Sequence, residues 1–348
     1  MKKNIIIGIC AMVLLLTNLA VACSAPASPA TKPADTEPAA VPEPLVLKTS
    51  MMYPVNHPYY KSSEVYADMV LKATNGRVKM VLHGSETLSP ASQELTAVHT
   101  GMADAAVSVV SYLVGQVPVC NVGVLPWVFI HDRAKCAEAA MEALPAIQKG
   151  FAKYNVQLMW YCPGEAGYVL VTQKEVHVPD DAKGLKIRSG GGLLDKLVAG
   201  WGCSVISIPA SEMYQSIQSG VADGTVLTSP TVISFKLNEI CKYIMDPYLD
   251  FNALCLYINN DKWNKISKAD QDAMNAIQKE FLLALVNMPS TAEARAAFPK
   301  LGFTVYKPEG DELKLWKAPA KQIWEDFMAS SPEAKQAAEA YIKYGAGY

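Results

Sequence analysis

Two stretches of the chain carry one plan. Around Gly101 to Asp104 the sequence reads "HTGMADAAVSVV", and around Gly220 to Asp223 it reads "QSGVADGTVLTS". In each, the glycine can end a helix in a left-handed turn, the aspartate can bind nearby backbone amides, and the next residues enter a strand. Each also follows a period-two strand and an amphipathic helix, so the chain predicts two α/β lobes of similar construction. The first lobe runs through "LVLKTSMM", the helix "YYKSSEVYADMVLKAT" closed by Asn75-Gly76, the alternating "RVKMVLHG", and "SPASQELTAVHTG". Between the repeats lie "VPVCNVGVLPWVF", "YNVQLMWYC" and "GYVLVTQKEV", apolar runs expected to form buried or crossing strands. "FNALCLYINN" predicts a further strand. "SKADQDAMNAIQKEFLLALV" predicts a long helix with a capping-box start at Ser267 and Asp270, and the tail carries more helix.

The N-terminal segment is an address. Met1-Lys2-Lys3, the apolar run from Ile5 to Leu16 and Ala20-Val21-Ala22 read as a secretory signal over residues 1–22, too short for a comfortable membrane span. "LAVAC" resembles a bacterial lipobox, which makes Cys23 a candidate for lipidation. Residues 23–44, rich in proline and alanine, then form a tether that could hold a globular body about 60 Å from a membrane. The formal charge of -2 becomes -4 once Lys2 and Lys3 leave with the signal, so net charge would not steer anions to the body. The body's cysteines, at 120, 136, 162, 203, 241 and 255, form no CxxC pair and read mostly as small buried hydrophobes.

"KGLKIRSGGGLLDKL" holds the most informative side chain. Leu185 and Ile187 alternate with Lys186 and Arg188, so one face can be buried while Arg188 emerges at the carboxyl end of a strand, where α/β sheets place ligands. A guanidinium offers paired donors that match a carboxylate, and Gly190 to Gly192 let backbone approach before a helix begins near Leu193. Other chemistries are not supported. The glycines lack the Lys-Ser/Thr of a phosphate loop, and no G-x-S-x-G elbow occurs. His57, His83, His99, His131 and His177 show no metal spacing, and no basic run alternates with aromatics as a nucleic-acid surface would. No cofactor or metal site is expected. His57, beside Asn56 and Tyr59, could line a cleft, although a loop histidine satisfied by backbone is the commoner case.

From about residue 45 to 330 the chain resembles the extracytoplasmic solute-binding proteins of tripartite ATP-independent periplasmic (TRAP) transporters, the DctP-like family. "ATNGRVKMVLHG", "VHTGMADAAV", "VLPWVF", "DDAKGLKIR", "SEMYQSIQSGVADGT", "EICKYIM" and "INNDKWNKIS" carry the resemblance, in that order. It implies a periplasmic binding protein fold of two α/β lobes with mixed sheets, crossing strands and a long lobe-spanning helix. Residues 45–165 with about 254–293 would form lobe I, residues 166–253 with about 294–330 lobe II, and 331–348 a C-terminal helix and tail. It also implies a non-enzymatic protein that closes on an organic acid and delivers it to TRAP permease subunits, with Arg188 as the carboxylate anchor. Many members carry a second arginine where this chain has Tyr168. Matching by motif assigns cleft positions to Met52, Val109 and Leu227, with Tyr53 and Trp127 nearby. Such a lining would suit a monocarboxylate with an apolar or aromatic body. Presentation to a chemoreceptor or sensor kinase, or an exported enzyme on the same scaffold, are the alternative readings.

Overall fold

A computed structural model describes residues 43–113, 115–164, 167–208, 212–250, 252–285 and 290–347. The residues read as a signal, Cys23 and nearly all of the expected tether lie outside the described residues. The chain order begins β1 (Leu45–Met51), α1 (Pro58–Ala73), β2 (Val78–His83), α2 (Glu94–His99), β3 (Ala105–Val109), α3 (Arg133–Phe151) and β4 (Val156–Pro163). It then crosses to β5 (Tyr168–Thr172), α4 (Pro179–Ala182), β6 (Lys186–Ser189), α5 (Leu193–Gly200), β7 (Ser204–Ser207), α6 (Met213–Gln218), β8 (Gly224–Thr228), α7 (Ser229–Ser234) and β9 (Tyr243–Leu249). A return through β10 (Ala253–Asn259) leads to α8 (Asn260–Trp263), α9 (Lys268–Ala276), α10 (Gln278–Leu285), α11 (Ser290–Ala297), β11 (Thr304–Tyr306), α12 (Gly310–Ser330) and α13 (Pro332–Lys343).

The strands form two mixed sheets, ordered β2-β1-β3-β10-β4 and β11-β9-β5-β8-β6-β7. In the first, β1 runs parallel to β2 and β3; in the second, β6 runs parallel to β7 and β8. The units β2-β1-β3 and β7-β6-β8 therefore share one strand order, and the repeated motif explains how each is pinned. Asp104 accepts from the Lys48 N–H at 2.9 Å while its own N–H donates to the Lys48 carbonyl. Asp223 does the same with Lys186, accepting at 2.8 Å. Gly101 and Gly220, at φ of 80° and 75°, supply the left-handed turns that bring each aspartate round. The central strands β3 and β10 are buried at every position, as expected where helices or turns cover both faces.

Two apolar segments depart from the sequence expectation. Pro118–Val124, within "VPVCNVGVLPWVF", forms 3-10 turns rather than a strand. Pro118 has no N–H for a ladder, and the Tyr161 hydroxyl of β4 binds this segment side-on, donating to the Cys120 carbonyl and accepting from the Gly123 N–H. The predicted helix from Ser267 is two helices, α9 and α10, interrupted at the half-buried Ile277 packed on the core. Its start is as expected: Ser267 Oγ accepts from the Asp270 N–H at 3.2 Å.

Two crossings join the sheets, β4 to β5 and β9 to β10, and they are laced together. Gly164 N–H donates to the Asn252 carbonyl at 2.9 Å, and Gly167 N–H donates to Asp250 Oδ1 at 2.8 Å. The helix that spans the lobes is α12. Near its start Trp316 packs edge-on against Trp201 of the second lobe, 5.0 Å between centroids, and its indole donates to the His177 carbonyl. Two turns later the Trp324 indole donates to the Pro126 carbonyl of the first lobe at 2.9 Å. All six body cysteines are free and buried.

Candidate functional site

Between the sheets lies a cleft of about 520 Å³. Its walls come from the carboxyl ends of parallel strands in both lobes: Met52 and Tyr53 after β1, Ser111 and Tyr112 after β3, Arg188 with Gly190 and Gly191 on and after β6, and Leu227 and Thr228 at the end of β8. This is the position α/β sheets favour for ligands, because side chains there converge without competing for ladder hydrogen bonds.

Arg188 is half-buried, and burial pulls its pKa down from the ordinary arginine value, with Tyr168 and Asp195 acting the other way. An arginine starts high enough that it stays cationic. Its Nε donates to the Ile208 carbonyl at 3.0 Å, which fixes the plane of the guanidinium. Its backbone carbonyl is held by Thr225 Oγ1 on the neighbouring strand at 3.1 Å. Among the described residues no acceptor takes its terminal Nη groups, and Arg188 is the one formally charged side chain lining the cleft once His57 is neutral. Gly191 and Gly192 then turn the chain at φ of 96° and 66° into α5. A side chain would be strained there, so the turn beside the guanidinium is kept bare.

The facing wall is aromatic. His57 caps α1, its Nδ1 accepting from the Tyr59 N–H at 3.1 Å, and its ring stacks on Tyr53 at 3.9 Å. Burial lowers the His57 pKa, so its imidazole is neutral near pH 7. Burial raises the Tyr53 and Tyr59 phenols, and pushes Tyr168 up to about 12 even though Arg188 pulls it down. All three remain protonated O–H groups able to donate. The Asn252 amide lies 3.5 Å from the Tyr59 hydroxyl. Apolar surface from Met52, Val109, Leu194, Met213 and Leu227 fills the space between.

Of the residues expected from the sequence, Arg188, Tyr168, Tyr53, Met52, Val109 and Leu227 meet in this cleft. Trp127 does not. It lines a separate cavity of about 500 Å³ with Pro247 and Lys317, and its indole donates to the Pro247 carbonyl at 3.2 Å. The cause is the 3-10 fold of the preceding segment, which carries Trp127 away from the strand ends and leaves it at φ of 56°. His57, read as a possible cleft residue, lines it together with its neighbour Tyr59, while Tyr112, Leu194, Met213 and Asn252 were missed. Tyr112 could have been found, since it follows β3 as Tyr53 follows β1; Met213 and Asn252 reach the cleft only through tertiary packing. Among the described residues no cluster of His, Cys, Asp or Glu could hold a metal ion, and no helix is long and apolar enough to cross a membrane.

Two α/β lobes, two crossings and a cleft at converging strand ends define a two-lobe binding protein. The chain belongs to family 7 of the bacterial extracellular solute-binding proteins, DctP, whose model matches residues 49–331. It is 26% identical over 285 residues to a solute-binding protein of Albidiferax ferrireducens, covering 76% of this chain and 80% of that one. It is 26% identical over 298 residues to the C4-dicarboxylate-binding periplasmic protein DctP of Rhodobacter capsulatus, covering 79% and 88%. The fold matches a TRAP periplasmic solute-binding protein of Desulfovibrio salexigens with bound orotic acid, at a TM-score of 0.74 and 20% identity, covering 86% and 98%. The protein is thus an extracytoplasmic solute-binding protein of the TRAP type, and not an enzyme.

Proposed function

We propose that the protein captures a small organic monocarboxylate with an apolar or aromatic body and delivers it to a TRAP-type permease. The observation that carries this reading is the charge inventory of the cleft: one arginine with its terminal nitrogens uncommitted, and otherwise tyrosines, amides, hydroxyls and apolar side chains. One carboxylate can take both guanidinium nitrogens, with Tyr168 donating a further hydrogen bond. A second carboxylate on the ligand would be buried against the phenol and methionine wall with no cation to meet it, at a cost of several kcal/mol. A polyhydroxylated acid would leave hydroxyls facing Met52, Val109 and Leu227. Orotic acid in the solved relative carries a single carboxylate on a planar, polar ring, which supports the one-carboxylate part of this reading.

Lobe I, residues 45–165 with about 254–293, and lobe II, residues 166–253 with about 294–330, would close on the ligand and reopen at the permease. Cys23, acylated after signal cleavage, would tether the body to a membrane; incorporation of a palmitate analogue that Cys23→Ala abolishes is the expected result, and none into the parent protein would refute it.

The test is a thermal-shift panel of carboxylic acids. Aromatic and branched monocarboxylates should raise Tm, since a ligand at 100 times its Kd adds about 2.7 kcal/mol of stability. Protection only by dicarboxylates or sugar acids would overturn the ligand class, and protection only by uncharged compounds would overturn the role of Arg188.

A further inference from the structure

We infer that the cavity holding Trp127 is a second ligand site, built for a small planar organic anion and sensitive to the angle between the lobes. It measures about 500 Å³ and shares no lining residue with the cleft. Four parts of the fold meet in it: Trp127 and Phe129 from the first lobe, Pro247 and Tyr248 from β9 of the second, Lys317 from α12, which grips both, and Gly345 and Gly347 after α13, the Gly347 N–H donating to the Trp127 carbonyl at 3.1 Å.

Its chemistry is one-sided. Lys317 Nζ sits 5.4 Å from the centre of the Trp127 ring, and among the described residues no carboxylate lies within ion-pair distance of it. Burial lowers its pKa, the mark of an ammonium stripped of water without an anion in return. The acid that lines the cavity, Asp250, is already engaged: its Oδ1 accepts from the Gly167 N–H at 2.8 Å, and Oδ2 stands 4.0 Å from His131 Nε2. Lys307 lies over the Tyr248 ring at 5.6 Å and adds to the positive field, whereas Arg295, 5.5 Å from that ring, is paired with Asp246 at 2.9 Å. An anion beside Lys317 would find indole and phenol faces for a flat body.

The backbone points the same way. Trp127 and Tyr248 are the aromatic residues among the described residues with positive φ, at 56° and 52°, and both line this cavity. Bulky side chains adopt that region at a conformational cost that surrounding structure must offset, and such residues cluster at ligand clamps. Here the two residues come from opposite lobes and line the same cavity. Because the occupant touches both lobes and α12, its affinity must depend on how far they are closed.

The coupling to closure rests on the cleft reading above; the binding does not, so the two are separated with Arg188→Ala protein, whose cleft anchor is gone. The probe is 2-naphthoate, with uncharged 2-naphthamide as control, followed by fluorine NMR of protein labelled with 5-fluorotryptophan; Trp127→Phe assigns the Trp127 resonance. Naphthoate should shift that resonance saturably, naphthamide at least tenfold more weakly. Lys317→Met should weaken naphthoate at least tenfold and Lys317→Arg should largely restore it, with unchanged thermal unfolding of both apo variants. Small-angle scattering of the same sample should change on saturation. No saturable shift, equal affinity for the amide, or indifference to Lys317→Met would overturn the site. Binding with an unchanged scattering profile would overturn the coupling.

Discussion

Arg188 illustrates how a single side chain can be specified by its neighbours along the chain. Strand alternation exposes it, three glycines clear the space in front of it, and the Ile208 carbonyl sets its orientation through Nε while leaving the terminal nitrogens for a ligand. Replacing it with alanine would strand a buried carboxylate and should weaken binding by about 2 to 5 kcal/mol, roughly 30-fold to several thousand-fold. Lysine should recover little, because an ammonium cannot present two parallel donors. Glu94 is a different case, a carboxyl buried behind β1 and β3 where Ser108 and Ser50 donate to it at 2.6 and 3.3 Å. Burial outweighs those hydrogen bonds and pushes it up from 4.5 to about 8. The folded state therefore keeps a proton that the unfolded chain releases, and between about pH 4.5 and 8 stability falls as pH rises, at up to ~1.4 kcal/mol per unit. Below that window Glu94 contributes no slope, and above it the loss is complete. Urea unfolding of Glu94→Gln should show a flatter pH dependence between 5.5 and 7.5 than the parent; parallel curves would contradict the assignment.

Among the elements, the two Gly-x-Ala-Asp turns do the same work in unequal surroundings. Asp104 is buried and also meets Lys262 at 3.1 Å, whereas Asp223 is more open. Asp104→Ala should cost about 2 to 3 kcal/mol through lost charged hydrogen bonds, and Asp223→Ala about 1 kcal/mol. Chemical denaturation of the two variants tests the order; equal losses would show that burial is not what separates them. These turns also mark how much of the architecture was legible beforehand. Periodicity and end signals read β1, α1, β2, β3, β6, α5, β8 and α13 directly, because each lies in a segment with a clear period or cap. The 117–130 run had no period to read, and its apolar residues outweighed the breaker signals of Pro118, Gly123 and Pro126 that favour the turns Tyr161 stabilises, so Trp127 was misplaced with it. Cleft residues at strand ends were readable; Met213 and Asn252, brought in by packing between distant segments, were not.

At the scale of the whole molecule, the two crossings and α12 are the connections about which the lobes can move. The Gly164–Asn252 and Gly167–Asp250 hydrogen bonds tie the crossings to each other, so a hinge here would have to bend both together. Trp316 and Trp324 anchor α12 on opposite lobes, with Pro319 between them interrupting the helix ladder. Saturation with the cleft ligand should reduce the radius of gyration measured by small-angle scattering, and Arg188→Ala should need correspondingly more ligand for the same change. An unchanged radius at saturation would contradict closure around the ligand.

In the cleft one guanidinium is set to hold one carboxylate among otherwise uncharged side chains. Isothermal titration of the acid with the largest thermal shift, against parent, Arg188→Ala and Arg188→Lys proteins, tests it most directly. One Arg188-dependent site per chain is expected in the parent, separable from any weaker site that persists in the alanine variant, with at least 30-fold weaker binding at that site in the alanine variant and little recovery with lysine. Parent-like affinity in the alanine variant would contradict it.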